Sequence, residues 1–357
     1  MPGESFTLAP ASSDASFRRY FRVTPSADSS RSLIAMDAPP PHENCRSFVD
    51  VARLLRAAGV NAPEVFAEDL DRGLLLLSDL GTRTKLSALD IRSAPSLYRD
   101  ALATLVRMQT GVDASGLAAY DRAVQQRELD LFPDWYVARH CGIKWSDAQR
   151  DEWQKGCNVL LANTLGQPRA FVHRDYHSRN LMVVGSEASG EVSGEVSGEV
   201  SAEESGKVSG AESGEISGRN PGVLDFQDAL HGPITYDLVS LLKDAYIRWE
   251  EELVLDQVAR YWEAARRAKL PVDADFAAFY RDFEWMGVQR QLKVLGIFAR
   301  LFHRDGKAAY LDDMPRVAAG LVAACSRYRQ LGPFQLLLQS VGLDEASAVP
   351  KQVSYTF

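Results

Sequence analysis

His173-Arg174-Asp175 is followed by Asn180, an H-R-D-x-x-x-x-N spacing, and Asp225-Phe226-Gln227 comes further along the chain. These residue types suit phosphoryl transfer. One carboxylate accepts the proton of an attacking hydroxyl. An amide oxygen and a second carboxylate hold Mg²⁺, which neutralises phosphate charge. The triplet alone says little, because polar loops often carry structural Asp and Asn caps. The spacing to Asn180, with an Asp-Phe pair downstream in a strand context, is far more specific.

Residues 186–220 separate the two parts of the motif. They form a near-tetrapeptide Ser-Gly-Glu-Val repeat without an aromatic residue, with eight Glu against Lys207 and Arg219. Such a composition buries too little apolar area to offset its ordering entropy, so it predicts a disordered loop. With the repeat set aside, LMVV (181–184) and GVL (222–224) read as the two strands of a hairpin. That hairpin puts Asn180 and Asp225 side by side at one end.

The elements around this hairpin predict an α+β fold. Ser16 to Val23 and Ser32 to Met36 read as strands across a polar turn. Phe48, Val51, Leu54, Leu55 and Ala58 recur at helical spacing, and Gly59 stops the helix. Val65 to Ala67 and Gly73 to Leu77 complete a strand-strand-helix-strand-strand unit. After a break at SDLGT (78–82) the pattern is helical, over about 93–165 and again over about 235–340. The expectation is a bilobal protein: a small antiparallel-sheet lobe over 1–80 and a helical lobe over 81–357. The catalytic island lies among the helices, on loops, where such residues concentrate.

The chain has 357 residues, 46% apolar and 25% charged, enough for a sizeable core. Its net charge is −8, and most of that lies in the repeat. That argues against nucleic acid as a partner. No apolar run is long enough to span a membrane, and no signal-like N-terminal segment is seen. Four scattered cysteines without a C-x-x-C pair fit a reducing, cytoplasmic setting.

Several stretches resemble one superfamily: SDASFRRYFRV, MDAPP, LLLSDLGTRT, RELDLFPDWYVARH, FVHRDYHSRNLMV, GVLDFQDALHGPITYDLVSLLKDAY and QRQLKVLGIFARLFHRDGK. They resemble the aminoglycoside phosphotransferase and choline kinase superfamily, which shares the protein-kinase fold. Within it they are most similar to the N-acetylmuramate/N-acetylglucosamine kinases of bacterial cell-wall recycling. The resemblance implies ATP as donor, Asp175 as catalytic base, and Asn180 and Asp225 as Mg²⁺ ligands. It implies a nucleotide hinge at Leu77, Asp79 and Leu80, and a loop-buttressing role for Asp237. The acceptor would be the anomeric hydroxyl of an amino sugar, and the protein is expected to act as a monomer. An aminoglycoside acceptor and a nucleotide-binding pseudokinase scaffold are the alternatives.

In kinases a turn between the first strands covers the phosphates, and a third-strand lysine holds them. Here the turn is SSDASF (12–17), with Ser13 and Ser16 as donors. The lysine is missing: Ile34-Ala35-Met36 stands in its place. Arg18, Arg19 and Arg22 flank the turn, and Arg19 is the candidate for the missing charge. Strand alternation puts Arg18 and Arg22 on one face and Arg19 on the other. Glu43 is a possible partner on the helix. For the acceptor, His177 and Arg179 lie in the catalytic loop. Glu128, Trp135 and Arg139 fall in one helical region, Trp135 and Arg139 four apart. An aromatic face suits a sugar ring and an arginine suits a carboxylate. Gln289, Arg290 and Lys293 form a second set.

Overall fold

A computed structural model of the chain describes residues 5–13, 17–28, 31–40, 43–184 and 220–344. Five strands form one antiparallel sheet: β1 (Phe6–Ser13), β2 (Arg19–Pro25), β3 (Leu33–Asp37), β4 (Val65–Asp69) and β5 (Leu74–Ser78), in the order β1-β2-β3-β5-β4. Helix α1 (Cys45–Ala57) joins β3 to β4, with the Asn44 side chain accepting from the Arg46 N–H at its start. Its buried stripe, Phe48, Val49, Val51, Ala52 and Leu55, covers the sheet.

The sequence pattern predicts four strands here, and the structure has five. The extra strand is β1, at the sheet edge. Phe6 and Leu8 are both more than half exposed, and the register shifts between Pro10 and Ser12. A strand with no buried face and a proline at its break leaves no alternation to read.

The rest of the chain is mostly helical. α2 (Lys85–Ala88), α3 (Ala94–Gly111), α4 (Arg122–Leu131) and α5 (Asp147–Gly166) precede the catalytic segment. α6 (Tyr236–Leu242), α7 (Glu251–Arg267), α8 (Phe276–Asp305), α9 (Met314–Arg327) and α10 (Gly332–Ser340) follow it. Residues Phe132–His140 continue α4 as a π-helix. Two short ladders lie between the helical blocks: β6 (Arg169–Val172) with β9 (Leu230–Pro233), and β7 (Leu181–Met182) with β8 (Gly222–Val223).

One apolar cluster runs from the sheet into the catalytic segment, taking in Met36, Phe48, Leu75, Leu105, Val223 and Phe226. A second holds Phe132, Trp153, Leu292 and Leu321. Helix α8 passes through both, with Phe283 and Met286 in the first and Val288 and Leu292 in the second. A Cβ at Gly296 would lie 2.4 Å from the Leu131 carbonyl carbon, so glycine lets α8 run against the start of the π-helix. Among the described residues no helix is long and apolar enough to cross a membrane.

Of the repeat, only Asn220 is described. Its side-chain oxygen accepts from the Val184 N–H at 2.7 Å, so the chain leaves the hairpin and returns at one point. Deleting 186–220 and closing the hairpin with Asn-Gly, which suits a tight two-residue turn, is expected to leave turnover largely intact. Loop closure depends weakly on length, so stability should shift by about 1–2 kcal/mol at most. A deletion variant that melts like the parent but has lost turnover would contradict this.

Candidate active site

The catalytic loop leaves β6 at Val172 and is clamped from below by two carboxylates. Asp237 accepts from the His173 N–H at 2.7 Å and the Arg174 N–H at 3.1 Å. Asp244 accepts from the Ser178 N–H and the Tyr246 N–H, both at 2.9 Å. Burial pushes the Asp237 carboxyl up to about 7, against the two N–H groups that favour its charge. The His173 ring is buried edge-on to Tyr176 and Phe226, and burial drives it down to about 4. It is a packing group, as loop histidines often are.

Arg174 takes a left-handed backbone (φ 78°) and turns inward, where its guanidinium meets Glu128 at 2.7 Å. Lys293 reaches the same carboxylate at 2.9 Å, and the Tyr120 hydroxyl donates to it. Burial opposes the charge on Glu128, but Lys293 and Arg174 together hold it down to about 2. Glu128 is thus tied into the floor of the loop, not placed in the cleft.

Above this floor lie the three chemistry-bearing groups. The β7–β8 hairpin pairs Leu181 with Val223, and the Leu224 N–H donates to the Asn180 carbonyl at 2.9 Å. Asn180 and Asp225 are therefore neighbours. The Asn180 amide donates to Asp225 Oδ2 at 3.1 Å and to the Asp175 carbonyl at 3.0 Å. With its nitrogen held inward, the amide offers Oδ1 to a cation. Asp225 has φ 63°, and Gln227 Nε2 donates to its Oδ1 at 2.7 Å. Phe226 is fully buried and packs on Phe48 of α1, with ring centroids 4.8 Å apart. Burial acts to raise the Asp175 carboxyl. The positive charge of Lys293, His177, Arg290 and Arg174 outweighs it and sets Asp175 below the usual carboxylate range.

Asp175, Asn180 and Asp225 line one cleft of about 580 Å³ between the sheet and the helices. At its sheet end stand Tyr20, Arg22, Ile34, Leu77, Asp79 and Leu80. Leu77 and Leu80 offer apolar walls. The Asp79 side chain is engaged by Arg22 (Nη2 at 3.1 Å), Ser32 (2.7 Å) and the Gly81 N–H (2.9 Å), so it ties the hinge together. Burial opposes its charge, but these partners keep its carboxyl low. Ser13 closes β1, but its side chain lies outside the described residues, as does Ser16.

The arginines divide by face. Arg19 is 64% exposed, pairs with Asp37 and does not line the cleft. Arg18 is only 11% exposed at its side chain. It lies 2.9 Å from Glu43 and 3.9 Å from Asp225. Met36, at the end of the third-strand pattern, is buried.

At the other end the cleft is lined by His177, Arg179, Tyr246 and Tyr310. The Arg179 guanidinium stacks 3.6 Å from the Tyr246 ring centroid, and the His177 ring meets the same tyrosine at 5.4 Å. Trp135 and Arg139 are not in the cleft. Trp135 is half-buried against the second core, and Arg139 is exposed. The π-winding of Phe132–His140 changes the facing that an α-helical i, i+4 spacing predicts. Sequence reasoning alone did not single out Asp244, Tyr246 or Tyr310. Asp244 and Tyr246 close the matched stretch that ends in KDAY, but no spacing marks them, and the segment after α6 brings them to the loop; Tyr310 comes from the short 3-10 turn after α8.

A family model for phosphotransferase enzymes matches residues 7–194 and 216–272. The chain is 48% identical to an N-acetylmuramate/N-acetylglucosamine kinase of Pseudomonas aeruginosa, covering 94% of this chain and 88% of that protein. It is 44% identical to a protein of the same name from Neisseria meningitidis, covering 96% and 93%. Among solved structures, a choline/ethanolamine kinase family protein from Mesorhizobium loti superposes with a TM-score of 0.59 at 14% identity, covering 94% of each chain. The ADP-bound aminoglycoside phosphotransferase APH(2'')-Ib gives 0.54 at 13% identity, covering 88% of this chain and 92% of that one. The fold is theirs, a small antiparallel sheet over a largely helical body. On the family match and the close relatives together, this chain belongs to the phosphotransferase enzyme family.

Proposed function

We propose that the enzyme moves the γ-phosphate of ATP to the anomeric hydroxyl of N-acetylmuramate and N-acetylglucosamine, giving the sugar 1-phosphates. One observation carries the reading. Asp175, Asn180 and Asp225 meet in a single cleft with an apolar hinge at one end and an aromatic-cationic end at the other. The identity to kinases named for these two sugars supplies the acceptor.

In this reading residues 1–80 form the nucleotide lobe and 81–357 the catalytic and substrate lobe. Asp175, held ionised by its cationic surroundings, takes the proton of the attacking hydroxyl. Asn180 Oδ1 and the Asp225 carboxylate are hard oxygen donors, few in number. That suits Mg²⁺, which keeps waters and shares itself with phosphates. Bound there, the ion neutralises charge on the transferring phosphoryl group. Leu77 and Leu80 wall the base of the nucleotide, and His177 and Arg179 face the sugar. The acceptor end presents Arg179 and two tyrosines, a poor match for a polycationic aminoglycoside. In this reading the enzyme works as a monomer in the cytoplasm, where ATP is supplied.

Arg18 takes the place of the missing lysine in this reading, and Glu43, which stands just ahead of α1 and not on it, is its partner. Arg18→Met is expected to raise the KM for ATP and lower kcat, about 10–100-fold in kcat/KM. That follows from losing a charge-assisted contact of about 1.5–3 kcal/mol. Arg19→Ala should leave nucleotide kinetics near the parent. Equal kinetics for both variants would leave the phosphates to backbone and metal alone. The reading as a whole is tested by ATP turnover over a panel of amino sugars, choline and aminoglycosides, with ³¹P NMR of the product. Turnover with choline or an aminoglycoside but neither sugar would overturn it.

A further inference from the structure

Asp313 stands at the start of α9, yet its side chain does not cap the helix. An aspartate in that place normally accepts from the first free N–H groups. Here the carboxylate is turned to Arg316, whose Nη1 donates to Oδ1 at 2.6 Å. The same nitrogen donates to the Ala245 carbonyl at 2.8 Å, 71 residues back in the chain. The Arg316 and Asp313 side chains are largely shielded, 31% and 17% exposed. One guanidinium nitrogen thus pins two distant stretches of chain, which an exposed ion pair does not do.

Each of those stretches carries an aromatic group of the cleft. Tyr246 follows Ala245 directly, and Tyr310 lies in the short turn Ala308–Asp313 that Asp313 closes. Both tyrosines line the acceptor end. Buried Phe298 of α8 packs against the two, its ring centroid 6.4 Å from Tyr246 and 5.0 Å from Tyr310. Tyr246 is also anchored to the catalytic loop. Asp244 accepts from its N–H and from the Ser178 N–H, and Arg179 stacks on its ring. The Tyr310 turn follows the end of α8, where Gly306 takes a left-handed backbone and stops the helix. Through Arg316 this turn is joined to the segment that the loop holds.

We infer that Arg316, which does not itself line the cleft, is a positioning residue for the acceptor: by joining Ala245 to Asp313 it fixes the Tyr246 and Tyr310 rings relative to each other, as the wall on which the sugar ring lies. The inference rests on the amino-sugar reading and deepens it. A pyranose of the gluco series carries its hydroxyls round the edge and C–H bonds on its two faces, so a row of aromatic rings is a surface that it can cover. Aromatic contacts depend on offset and tilt as well as on area. Two rings on separate segments make one wall only while their spacing is held. A small slip of either weakens the hold on the sugar and leaves Asp175, Asn180 and Asp225 where they are.

The competing role is purely structural. Arg316 would then only fasten α9 to the segment after α6, and its loss would lower the melting temperature or the active fraction without moving a KM. Steady-state kinetics separate the two, with each sugar varied at saturating ATP and ATP varied at saturating sugar. Arg316→Met keeps the apolar stem and removes the donors. It is expected to raise the KM of both sugars about three- to tenfold, the scale of one aromatic contact, with the KM for ATP near the parent's. Tyr310→Ala should raise the sugar KM in the same way. If Arg316 acts through the tyrosine wall, the double variant falls short of the product of the two single effects. If Arg316→Met does not fold, Asp313→Asn, which keeps the shape of the turn and loses its charge, reads the same split. An unchanged sugar KM, an ATP KM that rises in step with it, or single effects that multiply in full would overturn the inference. An unaltered enzyme that phosphorylates neither sugar would instead overturn the amino-sugar reading on which it rests.

Discussion

Asp175→Asn should lower turnover by about 10²–10⁴-fold, the usual cost of removing a positioned general base, while the protein melts like the parent. The second half follows from how the loop is held. The Asp175 backbone makes the structural contacts: its N–H donates to His173 Nδ1 at 3.3 Å, and its carbonyl accepts from the His177 N–H and the Asn180 amide, each at 3.0 Å. All three survive the substitution. Asparagine keeps the shape and loses only the proton acceptor. The pH profile gives a second check. Burial works to raise the Asp175 carboxyl, but Lys293, His177, Arg290 and Arg174 bring it below its ordinary value. A base must be ionised to act. Activity therefore persists as pH falls, until the depressed pKa is crossed, and the acid limb of kcat/KM lies below the usual aspartate range. Near-parental turnover in the variant would show that another group takes the proton.

What the sequence makes legible is what depends on local contacts. Asp175 and Asn180 lie in one loop, and a two-strand hairpin sets Asn180 beside Asp225 once the repeat is set aside. Spacing alone reports both. The α1 stripe and the strands around it are legible for the same reason, since each has one buried face. Glu128 is different. A helical pattern gives it a face but not what covers that face. Its partners Arg174 and Lys293 come from a loop 46 residues on and from α8. Trp135 and Arg139 depend on a helix type that propensity does not announce. The arginines are half legible. Alternation groups Arg18 with Arg22, but which face meets the cleft is decided by Glu43 and Asp225, which lie far away in sequence. Long-range packing, not residue chemistry, is what a single sequence withholds here.

Asp225→Asn should separate metal from nucleotide in a way no other substitution does. Asp225 has a left-handed backbone, φ 63°. Alanine there would add strain to the loss of charge, whereas asparagine tolerates that region. Asparagine can also accept from Gln227 Nε2, now at 2.7 Å from Oδ1. The substitution therefore removes one negative charge and little else. With Mg²⁺ present, the parent should bind ATP more tightly than the variant, because a carboxylate ligand has been lost. Without Mg²⁺ the order should reverse or level. The triphosphate then faces one anion fewer, and Arg18, 3.9 Å from Asp225, is freer to meet it. Turnover should fall by about 10²–10⁴-fold. A metal ion supplies several kcal/mol of charge stabilisation, and each 1.36 kcal/mol is a factor of ten in rate. Calorimetric titration of ATP with and without Mg²⁺ measures this crossover. Parallel affinities for the two proteins under both conditions would mean that Asp225 is not a metal ligand, whatever the variant's rate.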